Sequence, residues 1–172
     1  MKTLAKVVGS PLAVLAVVLV ILRFTGFNPT GDVPGPGNYP GLWLSGEQVD
    51  TKVTDWSFAD QYKTDKVETR TWYGVPHSVT TSHILKGDKL YLTSLFRPNV
   101  PFPDGKAWVK NIARDPHVRL KFGEKLYPVT LTHVTDEQEI AAVLGERAKN
   151  PGSAANPAPS GSVLHLFRVT QE

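Results

Sequence analysis

Residues 104–134 read DGKAWVKNIARDPHVRLKFGEKLYPVTLTHV, and the hydrophobic period changes partway along. In the first half Trp108, Val109, Ile112 and Ala113 recur at helical spacing and define one apolar face. Asp104 is placed to cap that helix, and Asp115-Pro116 to stop it. Lys106, Lys110 and Arg114 stand four residues apart and form a basic stripe beside the apolar face. Beyond Pro116 the period becomes two: Val118, Leu120 and Phe122 alternate with His117, Arg119 and Lys121. Gly123-Glu124 is a turn, and residues 126–134 return as a second strand.

The chain on either side continues the same style. Residues 77–85 and 89–95 form an expected hairpin across Lys86-Gly87-Asp88. Residues 66–72 alternate as a strand, residues 42–49 read as extended, and Trp56 and Phe58 mark a turn packed on the core. Residues 97–103, RPNVPFP, hold too many prolines for either regular element. A second helix is expected over 135–150, with Thr135 and Gln138 spaced as a capping box and Asn150-Pro151-Gly152 as its end. Residues 152–161 read as a loop, and 163–169 as a closing strand. Short strands with two helices among the late ones imply a mainly β domain with some α: a small antiparallel barrel whose ends are plugged by helices. Pro128 inside a strand pattern implies an edge or a bulge.

The amino terminus is different in kind. Residues 7–22 are apolar apart from Gly9, Ser10 and Pro11, with Lys2 and Lys6 before them and Arg23 after. Extended to residues 4–27, the run reaches the roughly 20 residues of a spanning helix. A secretory signal is the rival, but Arg23-Phe24-Thr25-Gly26 does not resemble a cleavage site. The expected organisation is a single-pass membrane anchor or uncleaved signal over 1–27, a Gly/Pro linker over 28–40, and one domain over 41–172. Lys2, Lys6 and the terminal amine outweigh Arg23, so the positive-inside rule places the domain on the extracytoplasmic side.

The net charge of +3 belongs to that segment. Of nineteen Lys and Arg, three lie in the first thirty residues; the other sixteen face sixteen Asp and Glu, so the domain is formally neutral. This argues against a nucleic-acid binder. The absence of cysteine excludes disulfides, thiolate metal sites and cysteine nucleophiles. His77 and His83 share a strand face but lie too far apart to ligate one ion, and His117, His133 and His165 read as isolated, so no metal site is expected. No general acid or base stands out.

Gly105, Lys106, Trp108, Asn111, Pro116, Val118 and Tyr127 hold a pattern, Gly-Lys-x-Trp-x-x-Asn, then Pro-x-Val, then a hairpin reaching a Tyr. It resembles the split β-barrel flavin-binding superfamily, which includes pyridoxamine-phosphate-oxidase-like proteins and deazaflavin-dependent nitroreductases. The resemblance runs over roughly residues 41–169. It implies a split antiparallel barrel, a homodimer, and FMN or a deazaflavin as cofactor of an oxidoreductase acting on a small molecule. It implicates Lys106, Trp108 and Asn111 in cofactor binding, with Lys110 next along the basic stripe, and also Thr80, Thr81, Ser82, Thr93 and Ser94 on the middle hairpin. His77 stands where relatives often carry a basic residue, and Arg97 is a candidate replacement cation. The residues alone permit plainer readings: a solvated basic face for the lysines, a core role for Trp108, and strand propensity for the threonines. The alternative function is a split barrel without cofactor, serving as a binding or accessory module of a membrane complex.

Overall fold

A computed structural model describes residues 2–32, 34–35, 37–145 and 158–171, with side chains from residue 11 onward. In chain order the elements are α1 (Lys2–Thr25), β1 (Glu47–Gln48), a 3-10 turn (Ser57–Gln61), β2 (Asp65–Thr69), β3 (His77–Lys86), β4 (Lys89–Phe96), α2 (Ala107–Arg114), β5 (His117–Phe122), β6 (Lys125–His133), α3 (Glu137–Leu144) and β7 (Val163–Thr170). The strands pair in the order β1-β6-β5-β2-β3-β4-β7, and β6 also pairs with β7, which closes β2 to β7 into a barrel. The architecture implied by the split-barrel resemblance is therefore present: mainly β, with three helices.

Two tight turns set the hairpin registers. Gly87 (φ +61°) and Gly123 (φ +57°) occupy the first central position of two-residue loops, where a positive φ matches the twist of the flanking strands. The split lies in β6. Its first residues pair in parallel with β1, Lys125 opposite Glu47, and its last four pair with β7, Thr130 opposite Thr170. Pro128 falls between these two pairings, so its missing N–H interrupts neither ladder. Its carbonyl instead accepts from Gln171 Nε2 at 2.9 Å.

Both mouths of the barrel are plugged. At one, α2 lowers Trp108, Val109 and Ile112 into the core, and the Trp108 ring meets Phe167 edge-on at 5.2 Å between centroids. At the other, the 3-10 turn supplies Ala59 and Phe58, which join Trp56, Phe122 and Tyr127 in an aromatic cluster. α3 lies outside, covering Tyr91 and Leu166 with Leu144, Ile140 and Val143.

Several expectations are corrected here. The helix in 104–134 is capped at Lys106, not Asp104; Asp104 forms an ion pair with Lys110 at 3.0 Å instead. Asn111 takes the buried position expected of Ala113, because the short helix turns its Asn111 edge onto Thr69 of β2. α3 begins after Asp136, whose carboxylate accepts from Gln138 N at 2.9 Å, so Asp136 and not Thr135 is the cap. The expected continuation of that helix to 150, and the loop over 152–157, lie outside the described residues. Of the extended 42–49, only β1 pairs as a strand.

The expected linker over 28–40 lies along the barrel. Thr80 donates its hydroxyl to Gly31 O at 3.0 Å, Thr64 to Asp32 O at 2.9 Å, and Asn28 bonds Ser45. The spanning helix expected from residues 4–27 is not found: among the described residues no helix is long and apolar enough to cross a membrane.

Candidate functional site

Strand alternation divides the candidate residues into two groups. Val67, Leu92 and Phe167, fully buried in the core, define the inward face. Asp65, Thr81, His83 and Ser94 share that face by alternation and register, whereas Thr80, Ser82 and Thr93 point outward. Thr81 and Ser94 therefore belong to the barrel interior and not to one hydroxyl-bearing face with Thr80, Ser82 and Thr93.

The interior polar groups form two clusters. Near the 3-10 turn, Asp65 accepts the Thr81 hydroxyl at 2.5 Å and faces His83 Nδ1 at 3.1 Å, while His83 Nε2 faces Ala59 O at 3.2 Å. Both ring nitrogens meet acceptors, so the imidazolium form of His83 can donate to both, with Asp65 as its carboxylate partner. Burial pulls the His83 pKa down, but hydrogen bonding and charge from Asp65, with the Ala59 carbonyl and Asp60, outweigh it and raise the pKa above its usual value. At the α2 mouth, His133 Nε2 and His165 Nδ1 lie 3.0 Å apart across β6 and β7, and the Phe102 ring stacks on His133 at 4.0 Å and 7°. These two histidines are a pair and not isolated as expected. Burial lowers both pKa values, with the neighbouring His133 lowering His165 further, so one ring donates to the other as neutral imidazoles. No group of three or more His, Cys, Asp or Glu able to hold a metal occurs among the described residues.

Lys106 is the candidate with the clearest chemistry. It precedes α2 in extended backbone, and among the described residues no side chain caps that helix start. Gly105 sets the approach, because a Cβ there would lie 2.6 Å from the Phe96 ring at the end of β4. Lys106 is exposed overall, yet protein atoms crowd its ammonium and lower its pKa by desolvation. Among the described residues no carboxylate pairs with it, whereas Lys110 is held by Asp104. A cation without a counter-ion beside uncapped helix N–H groups suits an anion.

The other candidates are accounted for as follows. Trp108 is core, 3% exposed. Asn111 donates to Thr69 Oγ1 at 2.9 Å, and Thr69 donates to His77 O at 3.0 Å, tying α2 to β2 and β3. His77 Nδ1 and Ser94 Oγ are buried without a partner among the described residues, and burial lowers the His77 pKa. Arg97 is exposed on the loop after β4.

A cleft of about 1050 Å³ lies elsewhere, on the outer face of β2, β5 and β6, where none of these candidates reaches it. Its walls include Trp43, His117 and the Glu68–Arg119 pair, joined by two bonds of 3.0 and 2.5 Å. Arg23, Lys52 and Arg70 add positive charge. No pattern along the chain pointed to this cleft, since its residues come from separate stretches. The Asp65–His83 pair had a detectable signal: Thr81 and His83 alternate with Val79 on the buried side of β3.

No protein-family model matches the chain, and no curated protein matches it. Among solved structures it is similar to a Listeria innocua protein assigned, but not established, as a pyridoxamine 5′-phosphate oxidase. The identity is 15% and the TM-score 0.44, over 67% of this chain and 89% of that one. At that distance the likeness says nothing about activity or ligand.

Proposed function

We propose that this chain is a membrane-held split-barrel protein that binds FMN or a deazaflavin and acts as an oxidoreductase, working as a homodimer. The observation that carries the reading is Lys106, an uncompensated, partly desolvated cation at the uncapped start of α2. The cofactor's phosphate end fits this position: Lys106 would pair with it, and the first N–H groups of α2 would donate to it. The outward hydroxyls of Ser82 and Thr93 retain acceptor capacity for the remainder, whereas Thr80 is covered by the Gly31 segment. Bound there, a flavin or deazaflavin supplies the hydride or electron transfer, and the protein supplies binding and orientation.

Membrane attachment is assigned to α1. Leu12, Val14, Leu15, Val17, Val20 and Ile21 are each more than half exposed. They point around the whole helix, and a helix that is apolar on every side needs lipid or protein around it. With α1 as the membrane-attached element, Lys2 and Lys6 against Arg23 support a domain on the extracytoplasmic side. A reporter fused after Glu172 tests that orientation, and activity confined to the cytoplasm overturns it.

Flavin titration followed by fluorescence tests the cofactor site. Lys106→Ala is expected to lose a charge-assisted contact of roughly 1.5–3 kcal/mol, tenfold or more in affinity. Lys110→Ala, whose ammonium is already paired with Asp104, should lose less. Equal affinity in all three proteins would place the phosphate elsewhere. The second reading, a barrel without cofactor serving a membrane complex, is favoured by the position of the cleft away from every candidate residue. Absence of binding in the wild type would favour it over the first.

A further inference from the structure

We propose that the barrel makes a second contact with the membrane, through the β2–β3 turn and the positive rim of the outer cleft, and that the surface it fits is an anionic phospholipid bilayer. This rests on the reading of α1 as the membrane-attached element.

Three observations converge. The first is an exposed aromatic pair. Trp72 and Tyr73, 82% and 59% exposed, meet edge-on at 5.3 Å at the tip of the turn. Large amphipathic rings left in water on a turn suit the headgroup level of a bilayer, where one side is apolar and the other wet. The second is position. Thr71 and Gly74, which flank the pair, line the same cleft as Arg23 in the last turn of α1. The aromatic tip and the end of the apolar helix therefore stand at the rim of one cavity. The third is charge. Arg119 is neutralised by Glu68, but Arg23 and Lys52 have no acidic partner among the described residues, and Arg70 reaches only Asp115 at 3.5 Å with 74% of its side chain exposed. Asp50 is the other carboxylate on the cleft wall, and it accepts from Gln48. An otherwise neutral domain thus turns a local excess of cations toward the side from which α1 leaves, complementary to lipid phosphates.

The test uses the full chain in vesicles of phosphatidylglycerol or phosphatidylcholine, with bromine on the acyl chains near the headgroup as a tryptophan quencher. Trp56 and Trp108 are buried at 4% and 3%, and Trp43 is half-buried on the cleft wall, so Trp72 should dominate the quenching. Trp72→Phe is expected to remove about half of it or more, since an interfacial ring lies within the quenching zone. Lys52→Gln with Arg70→Gln should abolish the excess of quenching in phosphatidylglycerol over phosphatidylcholine. A chain that fails to pellet with either vesicle overturns α1 anchoring and this contact with it. A chain that pellets, but whose quenching is unchanged by Trp72→Phe, leaves α1 as the anchor and overturns the barrel contact alone. Quenching that depends on Trp72 but not on lipid charge overturns the assignment of an anionic surface.

Discussion

The substitution Asp65→Asn tests the interior ion pair. Asp65 is 1% exposed and accepts from Thr81 at 2.5 Å and from His83 at 3.1 Å, while the His83 side chain is 6% exposed. The amide that replaces the carboxylate keeps one acceptor oxygen and no charge, so the imidazolium is left uncompensated. Breaking a buried pair by removing one partner costs about 3–5 kcal/mol. The mutant escapes part of that by releasing the His83 proton, after which one ring nitrogen no longer donates and roughly 1–3 kcal/mol remains. A loss of about 3 kcal/mol near pH 6 is therefore expected, against a total stability on the order of 5–15 kcal/mol. The pH dependence carries the sign. His83 has a raised pKa in the folded chain, so its contribution is full below the unfolded value of 6.5 and is lost as pH rises through the folded value. His77, His133 and His165 are shifted the other way, but they act equally in wild type and mutant and cancel in the difference. Denaturant unfolding of both proteins from about pH 6 to about pH 9, starting near the unfolded histidine value and rising above it, followed by tryptophan fluorescence in mild detergent, measures it. A wild-type advantage that stays constant or grows with pH, or no advantage at all, refutes the ion pair.

Other consequences follow from the two plugs. Trp108→Ala empties a site 3% exposed against Phe167 and should cost about 3–5 kcal/mol in the same unfolding assay. Gly105→Ala brings a Cβ to 2.6 Å from the Phe96 ring, so the start of α2 or the ring must move; a loss of about 1–3 kcal/mol is expected, and an unchanged midpoint would show the approach to be loose. Below pH 6.5 the unfolded chain takes up protons that the His133–His165 pair resists, so that pair's share of the stability should fall as pH drops. His165→Phe should flatten that fall, and a slope equal to wild type would contradict it.

How much of this was legible beforehand depends on the kind of pattern involved. Period and turn chemistry are local, so the two hairpins, the helix before Pro116 and the closing strand could be read from Gly87, Gly123 and the alternation around Leu120. Caps were misplaced because Asp104 and Thr135 are chemically suitable, but the chain enters each helix one or two residues later, at Lys106 and Asp136. Register was the larger barrier. Whether Thr81 or Thr80 faces inward depends on which neighbour pairs with β3, and that is set by Asp65 opposite Thr81. The pairing of His133 with His165 arises only when β6 meets β7 to close the barrel. The outer cleft gathers Arg23, Lys52 and Arg70 from distant stretches, and no spacing rule connects them.

The measurement that bears most directly on the central claim is the absorbance spectrum of the purified full-length chain, before and after incubation with FMN and with a deazaflavin. The account predicts flavin or deazaflavin bands that stay with the protein through gel filtration, at one cofactor per chain, and that are weakened in Lys106→Ala. A colourless protein that retains neither cofactor after incubation would contradict it.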